Sequence, residues 1–127
     1  IDEIKIYGSD WPTEDGTGVR DYIHVMDLAE GHLLVMEYLL RNKPQILNLN
    51  IGKGIGTSVL ELINIFQKVN KVEIPYVLDN RRNGDAGIVV ADNSKLKKVL
   101  KWEPRLSIEQ MCIDGWNWQQ NNPKGYD

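Results

Sequence analysis

The sequence predicts a mixed α/β fold, a small lobe of short strands and three main helices. Three observations carry this. Apolar residues recur at helical spacing behind start signals in three stretches, at 27–40, 58–69 and 107–119. Between them lie brief runs that alternate apolar and polar residues or are simply apolar, as short strands are. Those strands are too few for a complete doubly wound sheet.

Taken in order, Ile1-Asp2-Glu3-Ile4-Lys5-Ile6-Tyr7 alternates like a strand already under way. Because the chain opens on isoleucine inside such a pattern, it reads as a piece of something longer. Gly8 to Gly18 is a long loop rich in Gly, Asp, Thr and Pro, and long loops in compact domains are often functional. Val19 to His24 returns as a short extended segment. Asp27 stands where an N-cap belongs, and Ala29, Leu33, Met36 and Leu40 form one face of the helix behind it, ended by Asn42 and Pro44. Gln45-Ile46-Leu47-Asn48-Leu49-Asn50 alternates and predicts a half-buried strand.

Gly52-Lys53-Gly54-Ile55-Gly56 then turns the chain into a second helix. Ser58 and Glu61 make a capping box ahead of the stripe Val59, Leu62, Ile63, Phe66 and Val69. Ile74 to Leu78 predicts an edge strand because Pro75 interrupts it. After the polar turn 79–85, Ile88 to Ala91 is short and apolar, and Asp92 caps a short helix ending near Leu100. Ser107 and Gln110 form a further capping box. Ile108, Met111, Cys112, Gly115, Trp116 and Gln119 mark the inner face of a last helix that stops before Pro123.

With 127 residues the chain is one domain long and can bury roughly two-thirds of its unfolded surface. Eighteen acidic against fifteen basic side chains, a net charge of −3 and a pI near 5.4 exclude a general nucleic-acid binder, though not a local site for one small anion. The lone Cys112 excludes a disulfide framework and a Cys-rich zinc site. No apolar run is long enough to span a membrane, so the chain reads as soluble and cytoplasmic, with no membrane partner.

The glycines at 52, 54 and 56 fit neither the dinucleotide fingerprint nor the P-loop and are read as a structural turn. His24 and His32 lack the spacing and companions of a metal site and read as surface or satisfied core; no metal is expected. The run Lys95, Lys97, Lys98, Lys101 reads as a solvated helix face. Trp116 and Trp118 fall on opposite faces of the last helix, which leaves one nearer the surface. The remaining constellation is arginine-centred. Arg20 follows the Gly-rich loop, and Arg81-Arg82 with Asp85 occupies a distant one. Two guanidinium forks brought together would clamp a diphosphate, and Asp85 could accept from ribose hydroxyls. Surface ion pairs, Arg20 with Asp21 or Arg82 with Asp85, explain the same residues equally well.

Several stretches carry a resemblance. Tyr7 to Ala29 is similar to the UDP-glucose 4-epimerases of the NAD-dependent epimerase/dehydratase family, most specifically in Pro12-Thr13-Glu14-Asp15-Gly16-Thr17-Gly18-Val19-Arg20-Asp21-Tyr22-Ile23-His24-Val25. So are Asn48 to Gly52, Gly56 to Glu61, Arg81-Arg82-Asn83-Gly84-Asp85 and the tail Asn121 to Tyr126. The likeness covers essentially residues 1–127 and corresponds to the carboxy-terminal, UDP-sugar-binding part of an extended short-chain dehydrogenase fold.

The resemblance implies that Lys5, Ile6 and Tyr7 border uracil through backbone groups and the Tyr7 ring. It further implies that Arg20 and Arg82 grip the pyrophosphate, that Asp85 meets the ribose, that Tyr22 belongs to the substrate site and that Val89 shapes the sugar pocket. UDP-glucose and UDP-galactose are the implied ligands, and a small side chain at 89 extends them to UDP-N-acetylhexosamines. NAD is implied for an amino-terminal Rossmann domain absent from this chain. The family's Tyr-x-x-x-Lys pair and its Gly-x-x-Gly-x-x-Gly turn are also missing: the residues four places after Tyr7, Tyr22, Tyr38 and Tyr76 are Trp11, Met26, Asn42 and Asn80. The chain alone is therefore expected to be inactive and monomeric, the parent enzyme a homodimer. The competing readings are the lobe of a sister nucleotide-sugar dehydratase and a non-catalytic module that docks onto an NAD-domain chain.

Overall fold

The computed structural model describes residues 3–126, so Ile1 and Asp2 of the expected opening strand lie outside it. In chain order its elements are β1 (Ile4–Tyr7), β2 (Val19–Arg20), α1 (Val25–Arg41), β3 (Thr57–Ser58), α2 (Val59–Asn70), β4 (Tyr76–Asp79), β5 (Ile88–Val89), α3 (Ser94–Leu100) and α4 (Ile108–Asn121). The mixed α/β class with three main helices is what forms. Two small sheets divide the strands. β1 runs parallel to β4, with Ile4 opposite Tyr76 and Tyr7 opposite Asp79. In the other, β2 lies between antiparallel β3 and parallel β5, with Arg20 opposite both Thr57 and Val89. Pro75 sits just ahead of β4, where it lends its carbonyl to Ile4 N–H (2.8 Å) and needs no amide of its own.

α2 and α4 pack against each other, with Phe66 meeting Trp116 edge to face at 5.8 Å and Ile63 and Cys112 buried. Trp118 is the tryptophan of α4 left at the surface. The capping box of α2 closes in both directions: Glu61 N–H donates to Ser58 Oγ and Ser58 N–H to Glu61 Oε2. That of α4 closes in one. Gln110 N–H reaches Ser107 Oγ, but the Gln110 amide turns to Asp114 instead (2.8 Å).

Ser58 Oγ also donates to Asp15 in the long loop, which takes Thr17 N–H and Oγ1 as well. Partial burial pushes the Asp15 carboxyl up, but these hydrogen bonds outweigh it and hold the group below its ordinary 3.8. A depressed folded value stabilises the loop above about pH 3.8 and is lost as pH falls through it. Ser58→Ala is expected to lose about 1–2 kcal/mol at neutral pH through the cap. It should also flatten the acid limb of stability in urea melts run from pH 7 to 3. A parallel downward shift of the whole curve would show that Asp15 does not depend on Ser58.

Two expectations about the first helix are corrected. Its N-cap is His24, not Asp27: His24 Nδ1 accepts Met26 N–H, so Nε2 carries the proton toward Asp114 Oδ2 (3.1 Å). Asp27 sits three residues inside and is buried, accepting from Arg105 and Leu106 N–H. The packed face also differs. Asp27, Gly31, Leu34, Val35 and Tyr38 face the chain, with Gly31 against Ile51 and Trp102, while Ala29, Leu33, Met36 and Leu40 are exposed. The two stripes are offset by two residues, about 200° around a helix, so α1 is apolar on both sides.

Residues 45–50 form no strand. No neighbouring strand offers a ladder among the described residues, and Ile46 stands 92% exposed. Asp92 does serve the start of α3, accepting Ser94 N–H. The N-cap itself is Asn93, whose amide is committed to Gly52 O.

Candidate functional site

The β1–loop–β2 and β4–loop–β5 segments run side by side in the same direction, and their loops are stitched together. The Arg81 guanidinium lies 3.8 Å over the Trp11 ring and donates to the Asp10 carboxylate (2.6 Å) and carbonyl, while Trp11 also presses on Gly87. Arg81 is thereby consumed as a brace. Its neighbour faces elsewhere: Arg82 stacks 4.7 Å over the Tyr7 ring and donates from Nε to Asp85 Oδ2 (3.1 Å). Nearby on β1 Lys5 Nζ holds Asp79 Oδ2 at 3.3 Å. The Asp79 bond raises the Lys5 pKa.

Tyr7, Arg82 and Asp85 are thus brought together at the end of the first sheet. Ile6 is buried in the core, so only its backbone is available to a ligand. Each strand of a two-stranded sheet keeps one unpaired edge.

Beyond the Trp11 brace lie Arg20, Tyr22 and Val89. Arg20 and Val89 sit in register and line one groove of about 570 Å³ with Leu49, Asn50 and Asp92. Arg20 Nη1 donates to Val19 O. Burial pushes the Tyr22 hydroxyl up, against the pull of the Arg20 charge. Of the two ion pairs weighed for these arginines, Arg82–Asp85 forms and Arg20–Asp21 does not.

Asp21 is spent differently. Its carboxylate accepts Lys53 N–H (2.9 Å), Gly54 N–H (2.8 Å) and Ala91 N–H (3.2 Å). Sequence reasoning passed over this role, because an acid beside an arginine reads as an ion pair. The same bonds decide the glycine turn. Its amides already hold a carboxylate, so they do not fit a dinucleotide phosphate, and the chain's residues form no NAD site there. Among the described residues no group of three or more His, Cys, Asp or Glu is placed to hold a metal ion, and no helix is long and apolar enough to cross a membrane.

The paired parallel segments thus carry Arg20, Arg82 and Asp85 on one strand and one loop of the two small sheets. A profile of the GDP-mannose 4,6 dehydratase family matches residues 2–114, and the chain belongs to that family of epimerases and dehydratases. Within it, the chain is similar to UDP-glucose 4-epimerases. That of Bacillus subtilis (strain 168) is 47% identical over 126 residues, 99% of this chain and 37% of that protein.

Two solved structures align with a TM-score of 0.92, both with the carboxy-terminal part of the larger chain. The UDP-glucose 4-epimerase of Bifidobacterium longum, solved with NAD+ and UDP, is 44% identical, covering 99% of this chain and 37% of that one. That of Stenotrophomonas maltophila, with NAD and formylated UDP-arabinopyranose, is 42% identical, covering 98% and 37%. A UDP-Glc/GlcNAc 4-epimerase from Campylobacter jejuni follows at 35% identity and TM-score 0.83, covering 95% and 36%. The chain spans about a third of the length of these relatives.

Proposed function

We propose that this chain is the UDP-sugar-recognising part of a UDP-glucose 4-epimerase, the isomerase that interconverts UDP-glucose and UDP-galactose through a transient 4-keto sugar. The observation that carries this reading is Arg82, laid on the Tyr7 ring and tethered to Asp85 through Nε alone. Its two terminal nitrogens stay available to pyrophosphate oxygens, and Asp85 Oδ1 to ribose hydroxyls. Arg20 supplies the second fork, the Lys5–Tyr7 strand borders uracil, and Tyr22 and Val89 flank the sugar.

NAD, which accepts and returns the hydride in such enzymes, is held by sequence outside this chain. None of Tyr7, Tyr22, Tyr38 and Tyr76 has a lysine four residues on that would equip it as the base taking the sugar hydroxyl's proton. The chain therefore binds and orients, and alone it is inactive. Its single unpaired thiol suits a reducing cytoplasm.

Titration calorimetry of the chain with UDP tests this. Weak binding is expected, because the cleft lacks one wall, and Arg82→Ala should weaken it about tenfold, the scale of one hydrogen bond to a charged group. No binding by the unaltered chain, or equal binding by Arg82→Ala, would sink the reading. Val89, 52% exposed, leaves room beside the sugar for an N-acetyl group. Val89→Tyr should then discriminate against UDP-N-acetylglucosamine but not UDP-glucose; unchanged selectivity would remove Val89 from that role.

The exposed stripe of α1, with Leu33, Met36 and Leu40 at 50–78%, favours a second reading in which this face seats an NAD-domain chain. In both readings the chain itself is monomeric and the parent dimer forms through the missing part. Light scattering that shows growth in size with concentration would overturn the monomer.

A further inference from the structure

We propose that Asp21 is a positioning residue for the proposed UDP-sugar site, setting the spacing between Arg20 and Val89 without touching the ligand. This rests on the reading of that site given above. β2 and β5 are two residues long, so their ladder is too short to hold a register firmly. One residue past the end of β2, Asp21 continues the pairing with a side chain. Its Oδ2 takes Ala91 N–H, two residues past Val89, and both oxygens take amides of the 52–56 turn.

The turn has no slack for any other arrangement. A Cβ on Gly52 would come within 2.6 Å of Asp21 Oδ2 and 2.7 Å of the Ala91 methyl. Asn93, buried, closes the far side by donating to Gly52 O (2.8 Å). Three N–H donors on one carboxylate make charge-assisted bonds, the strong kind. Arg20 is adjacent in the chain, so whatever fixes Asp21 against Ala91 fixes Arg20 against Val89.

The test compares UDP with UMP on Asp21→Asn, and on Gly52→Ala, which breaks the same clamp from its other side. Partial unfolding reduces both affinities by the same factor, the fraction of competent protein, so it cancels in their ratio. A displaced Arg20 weakens the diphosphate selectively. The UDP:UMP affinity ratio is expected to fall about tenfold in both variants, the scale of one hydrogen bond to a charged group.

An unchanged ratio in variants that still bind overturns the proposal. Amide hydrogen exchange provides a readout independent of nucleotide. Faster exchange confined to residues 52–56 and 89–91 in either variant supports the clamp, and uniform or unaltered exchange overturns it. If the unaltered chain binds neither nucleotide, the site reading fails, and the exchange pattern alone decides whether Asp21 holds the two strands together.

Discussion

Replacing Gly16 with alanine is expected to destabilise the chain by about 3–5 kcal/mol, the range reserved for backbone strain combined with overpacking. Gly16 has φ +79°, and a Cβ there would lie 2.2 Å from the Ser9 carbonyl oxygen, a backbone atom that cannot swing aside. The carbonyl of Gly16 also accepts Trp11 N–H at 2.9 Å, which sets the loop that presents Trp11 to Arg81 and Gly87. Gly84 provides the control, with φ +87° and nothing within 4 Å of where a Cβ would stand. Its alanine variant should cost only the left-handed backbone term, about 1–2 kcal/mol. Thermal melts of the two variants check this, and equal losses would mean that the Ser9 contact relaxes freely.

Asp27→Leu is expected to cost about 2–4 kcal/mol, because it removes the charged acceptor of two part-buried amides at roughly 1–2 kcal/mol apiece. The carboxylate is 3% exposed and its Oδ2 holds Arg105 N–H at 3.0 Å and Leu106 N–H at 2.8 Å. It thereby pins the link between α3 and α4 to the first turn of α1. Asp27→Asn keeps an acceptor oxygen at the same place and should recover most of the loss. Urea midpoints decide the matter: if Asn and Leu are equally damaging, the two amides find other partners.

Where a signal is local, it was legible. Ser58 with Glu61 announces α2 to the residue, since a capping box is complete within four positions. The Gly8–Gly18 loop, the short β5 and the solvated lysines of α3 follow from composition in the same way. What escaped depends on partners far along the chain. Asp27 has the identity of an N-cap but is claimed by amides seventy-eight and more residues away. His24 caps instead, a role histidine rarely signals. The stripe at 29–40 is real helical periodicity, and it predicts burial that no described residue supplies.

Residues 45–50 likewise have strand patterning without a strand beside them. For the candidate site, the arginines and Asp85 could be picked out by their chemistry. That Arg81 would brace and Arg82 remain available could not, because the choice is made by Trp11 and Tyr7.

Both parallel pairings, β1 with β4 and β2 with β5, join residues roughly seventy positions apart, the kind of contact whose loop must close before it is rewarded. α1, α2 and α4 need no such closure to begin forming. During refolding, helical signal should therefore precede the burial of Trp11 between its two loops. Tyr7, Arg20, Arg82, Asp85 and Val89 all sit at or beside these late pairings, so the proposed nucleotide side of the molecule is expected to assemble last and, on denaturation, to come apart first.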